Sequence, residues 1–123
     1  MEPVDVVNGF IDAIGRKDEA AAKSFVADDC YYDNVPVGDM TGWDKMLDVL
    51  GPMFKSKDPV EFEILRQTAS GNMVMNERID RFVIKGKQIA IPVAGVFEVN
   101  DEKITFWRDY FDNGMFMKAL KGE

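Results

Sequence analysis

Residues 74–82 read VMNERIDRF. The run alternates with the two-residue period of a β-strand that buries one face. Alternation puts Val74, Asn76, Arg78, Asp80 and Phe82 on one side and Glu77, Ile79 and Arg81 on the other. A cation and an anion two residues apart among apolar side chains are expensive to bury. From spacing alone, such a pair is more often a structural ion pair than a catalytic one.

The neighbouring stretches fit one sheet. VEFEILRQTAS alternates before it, GN at 71–72 makes a turn, and KGK at 85–87 turns into QIAIPVAGVFEV. NDEK then leads to ITFWRDYFD, and NGMFMKALK predicts a short terminal helix with Met115, Phe116 and Leu120 inward. Before the strands, Val4, Val7, Phe10, Ile11 and Ile14 form a helical stripe. GRKDE at 15–19 breaks it, and Asp18 is placed to cap a second helix containing Ala21, Ala22, Phe25 and Val26. CYYDNVPV predicts a strand running into a Pro/Gly loop. Thr41 is placed to cap a third helix through GWDKMLDVLGPMF, with Trp43, Met46, Leu47, Leu50 and Phe54 inward and Pro52 bending or ending it.

Helices first and then a run of antiparallel strands predict an α+β fold, one domain over residues 1–123. A curved antiparallel sheet wrapped with the N-terminal helices makes a cone that can hold a small molecule, although an ordinary helix-on-sheet sandwich fits the same pattern. Pro92 and Gly95 are the expected places for the bend.

Composition narrows the chemistry. Twenty-two acidic against fifteen basic residues give a net charge of -7, a field that repels phosphate backbones and anionic lipid. Neither nucleic acid nor a membrane is an expected partner. The zero histidine count removes Ser–His–Asp catalysis and histidine metal sites. Cys30 is the only cysteine, which points to a reducing, cytoplasmic compartment, and it is expected to be a small buried or half-buried apolar residue. No signal peptide and no membrane-spanning stretch are visible. Met73, Met75, Met115 and Met117 are expected to fill core gaps or dimer contacts.

The same alternation groups Trp107, Asp109 and Phe111, with Phe106, Arg108 and Tyr110 on the opposite side, and puts Tyr32 with Asn34 while Asp33 points away. If these faces converge, Arg78, Asp80 and Asp109 sit opposite a tyrosine hydroxyl and an amide. The expected pocket wall is Met53, Phe62, Ile64, Val74, Phe82, Ile91, Val93, Trp107, Phe111 and Phe116. Taken singly, each polar residue has an ordinary structural use: an aspartate between aromatics near a turn, a tyrosine and an asparagine bonding a loop.

Read together, NERID, GVFEV with KITFWRDYFD, and YYDNVP resemble the limonene-1,2-epoxide hydrolase family over nearly the whole chain. The resemblance implies a cone like that of nuclear transport factor 2 (a cystatin-like α+β barrel shared with SnoaL-like proteins) and opening of an epoxide by water. It implies Asp109 as base, Tyr32 and Asn34 as holders of the water, Asp80 as acid, and Arg78 between the two carboxylates. No cofactor or metal is implied. The implied partners are a small apolar epoxide and a second copy of the chain, docked through the outer sheet face with Glu77, Arg81, Arg108 and Tyr110.

The wall stretches GPMFKSKDPVEFEI and QIAIPVAGVF depart from the family, and Asn113 and Gly114 stand where a more apolar continuation is expected. The chain starts close to its first helix, so the longer N-terminal extension of the founding enzyme is expected to be absent. Other readings of the same cone are a ketosteroid isomerase-like or polyketide cyclase-like proton-transfer enzyme, or a non-catalytic binding or dimerisation domain.

Overall fold

A computed structural model describes residues 1–122. The elements run α1 (Pro3–Gly15), α2 (Glu19–Ser24), β1 (Val26–Asn34), β2 (Gly38–Thr41), α3 (Trp43–Lys55), β3 (Glu61–Ser70), β4 (Met73–Ile84), β5 (Lys87–Asn100), β6 (Lys103–Tyr110) and α4 (Asn113–Lys121). All six strands form one curved, unclosed sheet in the order β2-β1-β6-β5-β4-β3. The α+β class and the helix-wrapped sheet agree with the reading of the sequence.

Pro3 opens α1 where its missing N–H costs nothing, and the Glu2 amide donates to Asp5 Oδ2 at 3.1 Å. The helix lays Val6, Val7, Phe10 and Ile14 against the inner sheet face, around Trp107. Trp107 stacks on Tyr32 at 4.1 Å between ring centres and on Phe97 at 5.4 Å, and meets the edge of Phe10 at 5.3 Å. A smaller cluster, Ile89, Ile91 and Val93, takes Phe116, Ala119 and Leu120 of α4. Among the described residues no helix is long and apolar enough to cross a membrane.

Several local expectations need correcting. The second helix stops at Ser24, so Phe25 and Val26 are not part of it. The Phe25 carbonyl instead accepts the Ile104 amide at 2.8 Å, which draws the chain into the sheet. Asp18 does cap that helix, accepting the Ala21 amide at 3.0 Å. Residues 38–41, expected to be loop, form the edge strand β2; Thr41 pairs with Tyr31 there, and the N-cap of α3 is Gly42 at φ 94. That positive φ is one a side chain rarely adopts. Helix α3 continues through Pro52 to Lys55.

Not every pair is antiparallel: β1 runs parallel to β6, joining the first strand to the last. Pro92 and Gly95 lie within an unbroken β4–β5 register, so neither is a bulge. The irregularities sit elsewhere: at Leu65 on β3, at Thr105 on β6 where it faces Glu98 and Val99, and between Val26 and Tyr31 on β1. There the extra residue bends the sheet. Met115 points outward from α4, and Met73, Met75 and Met117 are exposed as well, so none of the four fills a core gap. Cys30 is fully buried, and burial, with Asp29 adding to it, pushes its thiol up to about 12. It behaves as a small apolar side chain.

Candidate active site

Sheet register builds the site in one row. Gln67 on β3 lies opposite Asn76 on β4, Asn76 opposite Gly95 on β5, Gly95 opposite Asp109 on β6, and Asp109 beside Asn34 on β1. Side chains in such a row share one face, here the inner one. At Gly95 the row has no side chain, and Arg78 fills the space. A Cβ built at residue 95 would collide with Arg78 Nη1 and stand 2.8 Å from Asp109 Oδ1. The glycine is therefore required by close approach within an extended strand.

Arg78 is 0% exposed. Its Nε donates to Asp80 Oδ1 at 3.0 Å and its Nη2 to Asp80 Oδ2 at 2.9 Å. Nη2 also donates to Asp109 Oδ2 at 2.8 Å, and Nη1 to Asn76 Oδ1 at 2.9 Å. The guanidinium lies 5.4 Å from the centre of the Phe62 ring and 6.0 Å from that of Phe97. Trp107 Nε1 donates to Asp109 Oδ1 at 2.7 Å. All four oxygens of the two carboxylates thus accept an N–H. No buried side-chain nitrogen or oxygen among the described residues lacks a partner.

Burial pushes the Asp80 carboxyl up to about 6, against the pull of Arg78 and helped by the charge of Asp109. Arg78 is raised above its ordinary value: burial disfavours its charge, but Asp109 and Asp80 together outweigh that. Burial also raises the Tyr32 phenol, the Asp109 charge adding to it, so the hydroxyl stays neutral.

A cavity of about 190 Å³ opens from this floor. Tyr32, Asn34, Asp80 and Asp109 supply its polar atoms; Arg78 lies behind them and does not line it. Of the expected wall, Met53, Phe62, Phe82, Ile91, Val93, Phe111 and Phe116 line the cavity. Three expected residues do not. Ile64 lines a separate surface groove against α1, and Val74 is sealed in the core with Phe10 and Phe97. Trp107 is likewise enclosed and acts through its N–H on Asp109. Alternation assigned their face correctly but not their depth, because α1 fills that end of the cone.

Val37, Val49 and Ile84 line the cavity and were not anticipated. Val49 stands one helical turn before Met53, and Ile84 two residues after Phe82, so both followed from periodicity. Val37 sits in the β1–β2 turn, where no period exists. On the opposite sheet face, Arg108 pairs with Asp33 at 2.8 Å and lies over the Phe106 ring. Among the described residues no group of three or more Cys, Asp or Glu side chains is disposed to hold a metal ion.

A curved-sheet cone whose apolar cavity ends on two carboxylates held by a buried arginine has the form of a small-molecule enzyme site. The limonene-1,2-epoxide hydrolase catalytic domain, as a family model, matches residues 1–121, and the chain belongs to that family. It is 35% identical over 117 residues to epoxide hydrolase EphG of Mycobacterium tuberculosis, covering 94% of this chain and 78% of that protein. The solved structure of an LEH-like epoxide hydrolase from M. tuberculosis superposes with a TM-score of 0.85 at 34% identity, covering 98% of this chain and 90% of the other. An NTF2-like protein from Cytophaga hutchinsonii, at 23% identity and a TM-score of 0.75 over 95% and 96% of the two chains, shares the fold.

Replacing Gly95 with alanine is expected to lower unfolding stability by about 1–3 kcal/mol, the usual cost of overpacking, because Arg78 and Asp109 cannot both keep their places. Urea denaturation reads this; a variant as stable as the parent would show that the network yields freely.

Proposed function

We propose that the protein is a cofactor-independent epoxide hydrolase that adds water to a small apolar epoxide in one step. The observation that carries this reading is the Arg78 bridge, which holds two carboxylates at the floor of an apolar cavity. With both aspartates ionised the buried triad carries a net negative charge. One proton neutralises it, and Asp80 is the site raised to about 6.

Asp109 is the base. Its oxygens are oriented by Trp107 and Arg78, and it lines the cavity beside Tyr32 and Asn34, which hold the water. Asp109 takes a proton from that water as its oxygen attacks an epoxide carbon. The C–O bond breaks, and the departing oxygen takes the proton of Asp80. The product is a vicinal diol, and the proton left on Asp109 must return to Asp80 by exchange with solvent before the next turnover. Because every carboxylate oxygen already accepts an N–H, each is a poorer nucleophile, which favours direct attack by water over an aspartyl ester. A ketosteroid isomerase-like or polyketide cyclase-like reaction needs one shuttling acid and gives no use for an arginine clamped between two.

The wall carries no polar side chain besides the four at the floor, which suits a hydrocarbon-like substrate. The same reading takes the protein as a cytoplasmic homodimer joined through the outer sheet face. Glu77, Arg81 and Arg108 are already paired there with Arg66, with Glu61 and Glu63, and with Asp33, leaving exposed Met73, Met75 and Tyr110 for contact.

Two measurements test the reading. On a panel of limonene oxide and small aliphatic and aromatic epoxides, Asp80→Asn and Asp109→Asn should each lose about 10²–10⁴-fold in kcat. An inert parent, or a variant with full activity, refutes the assignment. Asp80 must be protonated to act, so kcat/KM should fall as pH rises through about 6, and Asp80→Asn should abolish that limb. For assembly, sedimentation of the purified protein and fractionation of its source cells should give a dimer in the soluble fraction; a monomer, or a membrane pellet, goes against it.

A further inference from the structure

Behind the carboxylates the network continues toward the surface. Asn76 Oδ1 accepts from Arg78 Nη1 at 2.9 Å, and Asn76 Nδ2 donates to Gln67 Oε1 at 3.0 Å. Gln67 Nε2 then donates to Asn8 Oδ1 of α1 at 2.9 Å. Asn76 is 5% exposed and does not line the cavity, so it touches neither substrate nor water there. A buried amide in a strand needs partners for both ends, and this one has them.

The order of donors and acceptors is directional. An amide at residue 76 flipped end for end would aim its NH₂ at a guanidinium, donor against donor, and its oxygen at the Gln67 oxygen. Arg78 can only donate, so it fixes which end of Asn76 faces it, and Gln67, itself held by Asn8, anchors the other end. The acceptor Arg78 receives is neutral. A third carboxylate would draw the guanidinium away from Asp80 and Asp109, whereas an apolar residue would leave the Nη1 side of its plane unanchored. Within a cluster where the placing of reacting groups to a fraction of an ångström matters, this is a constraint on chemistry as well as on folding.

We propose that Asn76, anchored by Gln67, is a positioning residue that fixes the plane of Arg78 so that one guanidinium serves Asp80 and Asp109 together. The proposal rests on the epoxide hydrolase reading for its kinetic consequence but not for its electrostatic one. Facing Asp80 are Arg78 on its own strand, Asp109 from β6 and Tyr32 from β1. The other elements around the cavity present apolar groups: Phe62 from β3, Ile91 and Val93 from β5, Val49 and Met53 from α3, Phe116 from α4. Loosening Arg78 thus removes the main force opposing burial at Asp80, and the Asp80 carboxyl must rise.

The experiment compares the parent with Asn76→Ala, Gln67→Leu and Gln67→Glu. Asn76→Ala should lower kcat about 10- to 100-fold with KM within about two-fold, and should move the alkaline limb upward. Gln67→Leu, at a half-buried position, should shift both in the same direction by less. Gln67→Glu keeps the acceptor for Asn76 Nδ2 and should retain more of kcat than Gln67→Leu. Carboxylate ¹³C NMR without substrate reads the Asp80 titration directly and should show the same upward order. Unchanged kcat and an unmoved Asp80 titration in Asn76→Ala and Gln67→Leu overturn the proposal. So does a loss of kcat with a matching rise in KM while Asp80 titrates as before, since that is structural damage alone. Should the parent open no epoxide, the hydrolase reading fails and the NMR order by itself decides the role of Asn76.

Discussion

The Arg78 guanidinium, with no exposed surface, has to keep its charge inside the protein. Removing an ion from water costs several kcal/mol even after relaxation, and the cost is offset only by close opposite charge and complete hydrogen bonding. Asp80, Asp109 and Asn76 supply both. Breaking such a cluster by deleting one member typically costs about 3–5 kcal/mol, because the remainder is left buried and uncompensated. On the proposed mechanism, stability and chemistry lean on the same side chain. Burial of the carboxylate, with the charge of Asp109 adding to it, is what makes a proton welcome at Asp80.

The rest of the fold serves this arrangement. Five of the six strands bring Gln67, Asn76, Gly95, Asp109 and Asn34 into one transverse row, and the bulges near it bend the sheet. Gly95 leaves the room that Arg78 occupies. Trp107 does two jobs, packing between Tyr32 and Phe97 in the core and donating its N–H to Asp109. The parallel pairing of β1 with β6 places Asn34 beside Asp109, so the segment supplying the tyrosine and amide meets the strand supplying that carboxylate.

Much of this was legible in the sequence, for identifiable reasons. Two-residue alternation in NERID, WRDYF and YDN assigned each polar side chain to its face, and the faces do converge on one cavity. Convergence itself was not legible, because the β1–β6 pairing joins segments some seventy residues apart and no local pattern records it. Depth was also hidden: Val74 and Trp107 share the inner face with Phe82 and Phe111 yet lie sealed beneath α1. Gly95 was read as a place for a kink or bulge; no bulge lies there, and the glycine leaves the room that Arg78 fills from the next strand. Beyond these, β2 escaped notice because four residues ending in Thr41, just before Gly42, look like turn and cap until Tyr31 pairs with them.

The central claim is that the two aspartates exchange protons with a held water and never bond to the substrate. A single turnover in H₂¹⁸O with enzyme in excess, followed by mass spectrometry of diol and digested protein, tests it most directly. The account predicts one ¹⁸O in the diol and none in the peptides carrying Asp80 and Asp109. Unlabelled diol with ¹⁸O in either carboxylate would mean that an aspartate attacked the epoxide and was freed by water, and the Arg78 clamp would then need another explanation.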